Sequence, residues 1–161
     1  MDNLVIRDAI IKYRNFEGNE KPNNPKGIRN FCVVLDEDIA TSLKDEGWNV
    51  KSREREEGDI EYFLPVAVRY DRIPPRLWLV TSTQKTLLDD ISVKELDHAE
   101  FVKVDITISP SRWEVNGKTG IKAYVKSGFF TIREDELEME YGDIPVSGEP
   151  RQQDDEELPF R

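Results

Sequence analysis

Hydrophobic residues along most of this chain recur at every second position rather than every third or fourth. The plainest case is Phe101 to Ser109, where Val102, Val104, Ile106 and Ile108 alternate with Phe101, Lys103, Asp105 and Thr107. That period predicts a strand with one face in a core and one in water. Further β-rich runs cover Leu4 to Tyr13, Ile28 to Asp36, Trp48 to Arg53, Tyr62 to Tyr70, Arg76 to Ser82, Arg112 to Val115 and Ile121 to Ile132. Helical signals are few and short. Asp36 is placed to cap a helix from Glu37 to Glu46, with Ile39, Ala40 and Leu43 on one side and Gly47 as its stop. Ser92, followed three residues later by Glu95, gives a capping-box pattern for a second short helix to Asp97. Asp135 to Tyr141 has room for a last helical turn or two.

Seven or eight strands with one or two short helices between them, and no regular βα alternation, predict a mainly β fold. The favoured architecture is an OB-type five-stranded Greek-key barrel with extra strands or hairpins; periodicity alone also admits a β-sandwich. Length allows one domain, taken as residues 1–141, followed by a flexible acidic tail over 142–161.

Charge separates the two parts. From Glu134 to Arg161 there are eleven acidic residues against Arg151 and Arg161, a net −9 out of −10 for the whole chain. The body is therefore near neutral, and the overall acidity is no argument against an anionic ligand there. Pro145, Gly148, Pro150, Gln152 and Gln153 lie in a stretch almost without core-forming residues, which cannot repay the entropy of ordering. At its end, Asp154, Asp155, Glu156 and Glu157 precede Leu158, Pro159 and Phe160. A charge run alone reads as a solubilising tail, but exposed apolar residues at its tip do nothing for solubility and point to a protein partner.

Counting residues excludes several chemistries. Cys32 is the only cysteine, so an internal disulfide is impossible, and its apolar run Phe31 to Leu35 marks a structural thiol. His98 is the only histidine, which rules out Cys/His zinc sites; no metal or other cofactor is expected. No apolar run approaches the length of a membrane span and the N-terminus has no secretory pattern, so the expected location is the cytoplasm. Gly117-Lys118-Thr119 looks like the end of a P-loop, but Arg112 stands where the first glycine should be. There is no G-x-S-x-G elbow, and Asp8, Asp36 and Asp105 lack an acid-x-Lys neighbour for a metal-dependent nuclease. Catalysis is not expected.

The sharpest pattern in the body is Ile121 to Lys126. Ile121, Ala123 and Val125 take one face of a strand, leaving Lys122, Tyr124 and Lys126 on the other. Lysines that neutralise phosphates beside a ring that stacks on a base are what a sequence-independent single-strand binder needs, although a solvated strand face looks the same. Asn116-Gly117 signals a two-residue hairpin that would bring Trp113 opposite Gly120 and add Lys118 to the patch. A three-residue loop with a bulge would send Trp113 to the other face. The loop from Asn15 to Gly27 reads as long, mobile and mildly basic through Lys21 and Lys26, flanked by Arg14, Phe16, Arg29 and Phe31. In an OB barrel the loop between the first two strands borders the binding groove. Arg69, Tyr70, Arg72 and Arg76 surround a Pro74-Pro75 turn. Trp48, Trp78 and Phe31 are read as core.

Two resemblances sharpen these expectations. The tip Asp154 to Phe160 is similar to that of bacterial single-stranded-DNA-binding proteins, where an acidic run ending in a hydrophobic residue, Pro and Phe recruits replication and repair proteins. Here Arg161 follows Phe160, so a partner that requires a terminal Phe carboxylate should bind weakly. The body resembles a family of phage-encoded single-stranded-DNA-binding proteins through Arg14 to Gly18, Gly27 to Asp36, Gly47 to Lys51, Pro74-Pro75, Thr86 to Asp89, Trp113 to Lys118 and Gly120 to Lys126. That resemblance implies an OB-fold that coats single-stranded DNA in replication or recombination without catalysis. The competing expectation is a β-barrel adaptor or DNA mimic whose acidic tail binds a basic host protein.

Overall fold

The structure is a computed structural model that describes residues 2–134. The predicted helical turn at Asp135 to Tyr141 and the whole acidic tail lie outside the described residues. Nine strands are present among them: β1 (Leu4–Ile6), β2 (Ile11–Asn15), β3 (Arg29–Leu35), β4 (Lys51–Glu54), β5 (Ile60–Val68), β6 (Arg76–Val80), β7 (Lys85–Leu88), β8 (Phe101–Val115) and β9 (Lys118–Ile132). One α-helix, α1 (Glu37–Glu46), and a 3-10 helix at Ser92–Asp97 complete the set. The fold is mainly β, as the alternation of the sequence predicts.

The strand order β1-β8-β9-β5-β3-β2 closes on itself because β1 and β2 are two halves of one interrupted strand. Leu4 to Ile6 pair antiparallel with β8, and Ile11 to Asn15 pair antiparallel with β3. Between them the chain hands its hydrogen bonds from one neighbour to the other: Ala9 N–H donates to Val104 O, and Val34 N–H donates to Ile10 O. Counting β1 and β2 as one strand, the ring reads β1/β2-β3-β5-β9-β8 and back to β1, with its single parallel pairing between β5 and β9. This is the ring of an OB barrel. A side sheet is added where β6 pairs parallel with the far half of β9 and antiparallel with β7. Strand β7 carries no alternation in its sequence and is the one strand the periodicity missed.

Two prolines show how the strands tolerate a missing donor. Pro110 sits inside β8 opposite Ala123, beyond the stretch that β1 covers, so Phe101 to Val115 is one continuous strand rather than two. Pro65 sits opposite Cys32, where the other edge of β5 passes from β4 to β9. A register shift between Phe101 and Lys103 exchanges the expected faces at the start of β8. Phe101 packs toward Phe130 and the core, while Val102 is left exposed.

Helix α1 starts where predicted, with the Asp36 carboxylate accepting from Ile39 N–H, and stops at Gly47 in the left-handed region. The second helix differs from expectation. Its leading residue is Ile91, with no side-chain cap, and Ser92 is not the N-cap. Asp89 does the work, accepting from the N–H groups of Ile91 and Ser92 and from the Ser92 hydroxyl. The core lies inside the ring, where Phe16, Phe31, Leu64, Ile106, Ile108, Ile121 and Phe130 are fully buried, with Trp48 nearly so. Trp78 is no core residue: it is half-buried on the outside of β6, where its ring stacks on the exposed Phe129.

Candidate nucleic-acid interface

The Asn116-Gly117 turn is the predicted two-residue type, since both residues have positive φ, 52° and 77°. Register then follows: Val115 faces Lys118, Trp113 faces Gly120 and Ser111 faces Lys122. Trp113 therefore shares the outward face of Lys122 and Tyr124. Its ring lies directly over Gly120, where an added Cβ would come within 2.5 Å of Trp113 Cζ2. Only glycine allows this close approach. Ile121, Ala123 and Val125 are buried, and Lys122 and Lys126 are exposed, with the Lys122 ammonium 5.5 Å from the Tyr124 ring. Lys126 is the extra residue of a bulge between the partners of Thr107 and Ile108. Lys118, at the tip, is exposed.

Across the ring this stripe continues onto the neighbouring strands. Tyr124 lies beside Ala67 on β5, which pairs Asn30 on β3; Pro65 pairs Cys32, which pairs Lys12 on β2. Alternation puts the buried Phe31, Val33, Leu64 and Val66 inside, so Cys32, Phe63, Pro65 and Ala67 look outward. At the far side of this face Tyr13, turned out by a bulge and a φ of 55°, meets Phe63 at a centroid distance of 5.6 Å. The Arg53 guanidinium lies 5.5 Å from the Tyr13 ring. Sequence reasoning missed Lys12, Tyr13, Lys51, Arg53, Arg55 and Phe63. The alternating Lys51, Arg53, Arg55 was the available signal.

Glu61 organizes these cations. Its side chain is almost wholly buried beneath Lys12, with Arg55 at 2.9 Å and Arg53 at 3.7 Å, and the Tyr13 hydroxyl donates to it at 3.4 Å. The bonds from Lys12 and then Arg55 hold its carboxyl down at about 2. Three cations gather around this one carboxylate, with Asp59 and Glu57 also acting on Arg55 from the adjoining turn. Cys32, half-buried in the middle of it, has its thiol pushed up to about 11, by burial first and by Glu61 second. It is a structural thiol at neutral pH. On the Tyr124 side, Arg69 is forked onto Asp71 at 2.7 and 2.9 Å, and that fork together with the Tyr124 hydroxyl raises its already high pKa.

Three residues expected to touch a ligand make contacts within the scaffold. Phe16 is fully buried, stacked on Phe31 at 5.1 Å and edge-on to Phe130 at 6.0 Å, so it presents no ring to a base. Arg14 donates to Leu96 O and Ala99 O and covers the Phe101 ring, which ties β2 to the 3-10 helix. Arg29 donates to Phe16 O and lies over Tyr70. The loop that follows Phe16 is not the open connection its composition suggests. Asn15 accepts from Gly18 and Asn19, Asn24 donates to Asn19, Pro25 and Ile28, and Asp97 receives the N–H groups of Phe16 and Glu17. Gly18 is pressed against Gly27: an added Cβ would lie only 3.1 Å from the Gly27 carbonyl carbon. Lys21 and Lys26 stand exposed on this braced loop.

The curled β-sheet presents an outer face that interleaves aromatic rings with lysines and arginines, the pattern suited to an oligonucleotide. The sequence profile of the family described as "Putative phage ssDNA-binding domain" matches residues 1–158, and the chain belongs to that family. It is a family of DNA-binding domains, not of enzymes. Among solved structures, the C-terminally truncated single-stranded-DNA-binding protein of bacteriophage Enc34 superposes with a TM-score of 0.52 at 9% identity, covering 83% of this chain and 87% of that one. The Enc34 protein in complex with ssDNA gives 0.51 at 10% identity, covering 83% and 88%. A third structure, of the single-stranded DNA-binding protein from bacteriophage Enc34, gives 0.52 at 10%, covering 90% and 87%. At such identities these likenesses concern the fold. No curated protein sequence matches the chain.

Proposed function

We propose that this chain coats single-stranded DNA, largely without regard to sequence, through the outer face of β9, β5, β3 and β2. Family membership supplies the ligand class. The observation that carries the assignment to this face is its composition: Tyr124, Phe63 and Tyr13 stand outward among Lys122, Lys12, Arg53 and Arg55. Rings stack on any base, and the cations take the phosphates, so affinity needs no base-edge reading. The work is done during phage DNA replication or recombination in the host cytoplasm. The tail from Asp154 to Phe160 recruits partner proteins or, as a polyanion, competes with DNA for the lysines and arginines of this face.

The test is a tryptophan-fluorescence titration with oligo-dT and with duplex DNA at two salt concentrations, using the full chain and a version lacking Gln152 to Arg161. Quenching by oligo-dT that weakens steeply with salt, with equal or tighter binding by the tailless protein, supports the proposal. Equal binding to duplex, or loss of binding on removing the tail, sinks it, and the second outcome favours the adaptor reading.

A further inference from the structure

A second aromatic and basic cluster lies outside the face just described. Trp78 and Phe129 stand opposite each other on the parallel pair β6 and β9, at the end of β9 remote from the hairpin tip. Their rings are within 7° of parallel, with centroids 6.4 Å apart. The Lys85 ammonium sits 4.6 Å from the Trp78 centroid and 5.6 Å from that of Phe129, and the Arg76 guanidinium lies 5.3 Å from Trp78. Neither cation makes an ion pair with a described residue.

The core does not require these rings. Their neighbours Leu77 and Phe130 are fully buried and fill the interior, whereas Phe129 is 42% exposed. An exposed ring beside a half-buried one on the same surface marks a contact site. Charge decides the kind of contact, since an apolar protein surface laid over this cluster would bury two cations that have no ion-pair partner among the described residues, at heavy cost. A nucleic-acid strand offers each of them a phosphate and each ring a base. Continuity gives the path: Lys122, Tyr124, Lys126 and Phe129 all lie on the outward side of β9, and Tyr124 and Phe129 are about 17 Å apart along the strand.

We propose that Trp78 and Phe129, with Arg76 and Lys85, form a second base-stacking subsite, so that a bound single strand runs along β9 from the barrel face onto the β6–β7 side sheet. This rests on the single-strand binding proposed above. It predicts that affinity depends on oligonucleotide length in two stages.

The experiment is fluorescence anisotropy of end-labelled oligo-dT of increasing length, with the full chain and its variants. For the wild type, affinity rises again once the oligonucleotide is long enough to reach past Tyr124. Trp78→Ala should remove that second rise, weakening the longest oligonucleotide about tenfold and leaving the shortest unaffected. Trp78→Phe, which keeps a ring, should restore most of it. Lys85→Gln should lower the salt slope by about 0.7 for long oligonucleotides only. Weakening that is equal at all lengths, or absent, in both Trp78→Ala and Lys85→Gln overturns the proposal. So does a change in self-association, read by sedimentation, with DNA affinity intact. Failure of the wild type to bind any oligonucleotide would instead refute the function itself, a result distinct from Tyr124→Ala responding while Trp78→Ala does not.

Discussion

Replacing Phe16 with alanine separates a core residue from a ligand-binding one at a position whose flanking arginines and basic loop suggest the latter. The ring is fully buried between Phe31 and Phe130. Deleting a buried phenylalanine costs about 3–5 kcal/mol, the transfer term plus the cavity left behind. Domains of this size are stable by only about 5–15 kcal/mol, so the loss is a large fraction of the whole. With a urea slope of about 1–3 kcal/mol per molar, the unfolding midpoint should fall by roughly 2 M. Phe16→Leu keeps most of the volume and serves for the binding assay, in which oligo-dT affinity should match the wild type. An unchanged midpoint in Phe16→Ala together with more than tenfold weaker DNA binding would place the ring in the groove and refute the reasoning.

Three further outcomes follow from the same geometry. Tyr124→Ala should weaken oligo-dT binding by about 1–3 kcal/mol while Tyr124→Phe leaves it unchanged, because the ring stacks and the hydroxyl does not; anisotropy titration decides. Glu61, held at about 2 in the folded chain against an ordinary 4.5, contributes stability that is complete above about pH 4.5 and lost as the pH falls toward 2. Glu61→Gln should therefore be less stable than the wild type in urea at pH 7, and the difference should shrink below pH 3; a difference independent of pH contradicts the ion-pair account. Cys32, with its thiol pushed up to about 11 and placed between Lys12 and Pro65 on the binding face, should react slowly with a thiol reagent at pH 8 and more slowly still under saturating oligo-dT. Labelling unaffected by DNA would argue that the strand lies elsewhere.

Alternation carried most of the fold. Phe31, Val33, Leu64, Val66, Ile106 and Ile108 are buried where a period of two puts them, and Asp36 and Gly47 bound α1 as their chemistry requires. The hairpin register that sets Trp113, Lys122 and Tyr124 on one face was legible because Asn116-Gly117 leaves a two-residue turn little choice. What stayed hidden depends on irregularity. The break between Ile6 and Ile11 that closes the barrel, and the bulge that turns Tyr13 outward, leave no periodic trace. Strands β4 and β5 form a local hairpin that sets Arg53 opposite Glu61, but Lys12 reaches the same carboxylate from β2, 49 residues away, so the whole cluster around Glu61 could not be assembled from sequence spacing. Arg14 and Arg29 show a related ambiguity: a basic residue beside a loop looks alike in sequence whether it meets a phosphate or, as their Nη1 groups do here, a backbone carbonyl.

The central claim is that the outward face of β9, β5, β3 and β2 receives the strand. Two-dimensional amide NMR of the isotope-labelled full chain, titrated with oligo-dT, reads every part of the surface at once. The account predicts the largest shift changes at Lys12, Tyr13, Cys32, Phe63, Lys122 and Tyr124, with α1 left silent. Changes confined to α1 and the loops around it, with that face unperturbed at saturation, would contradict it.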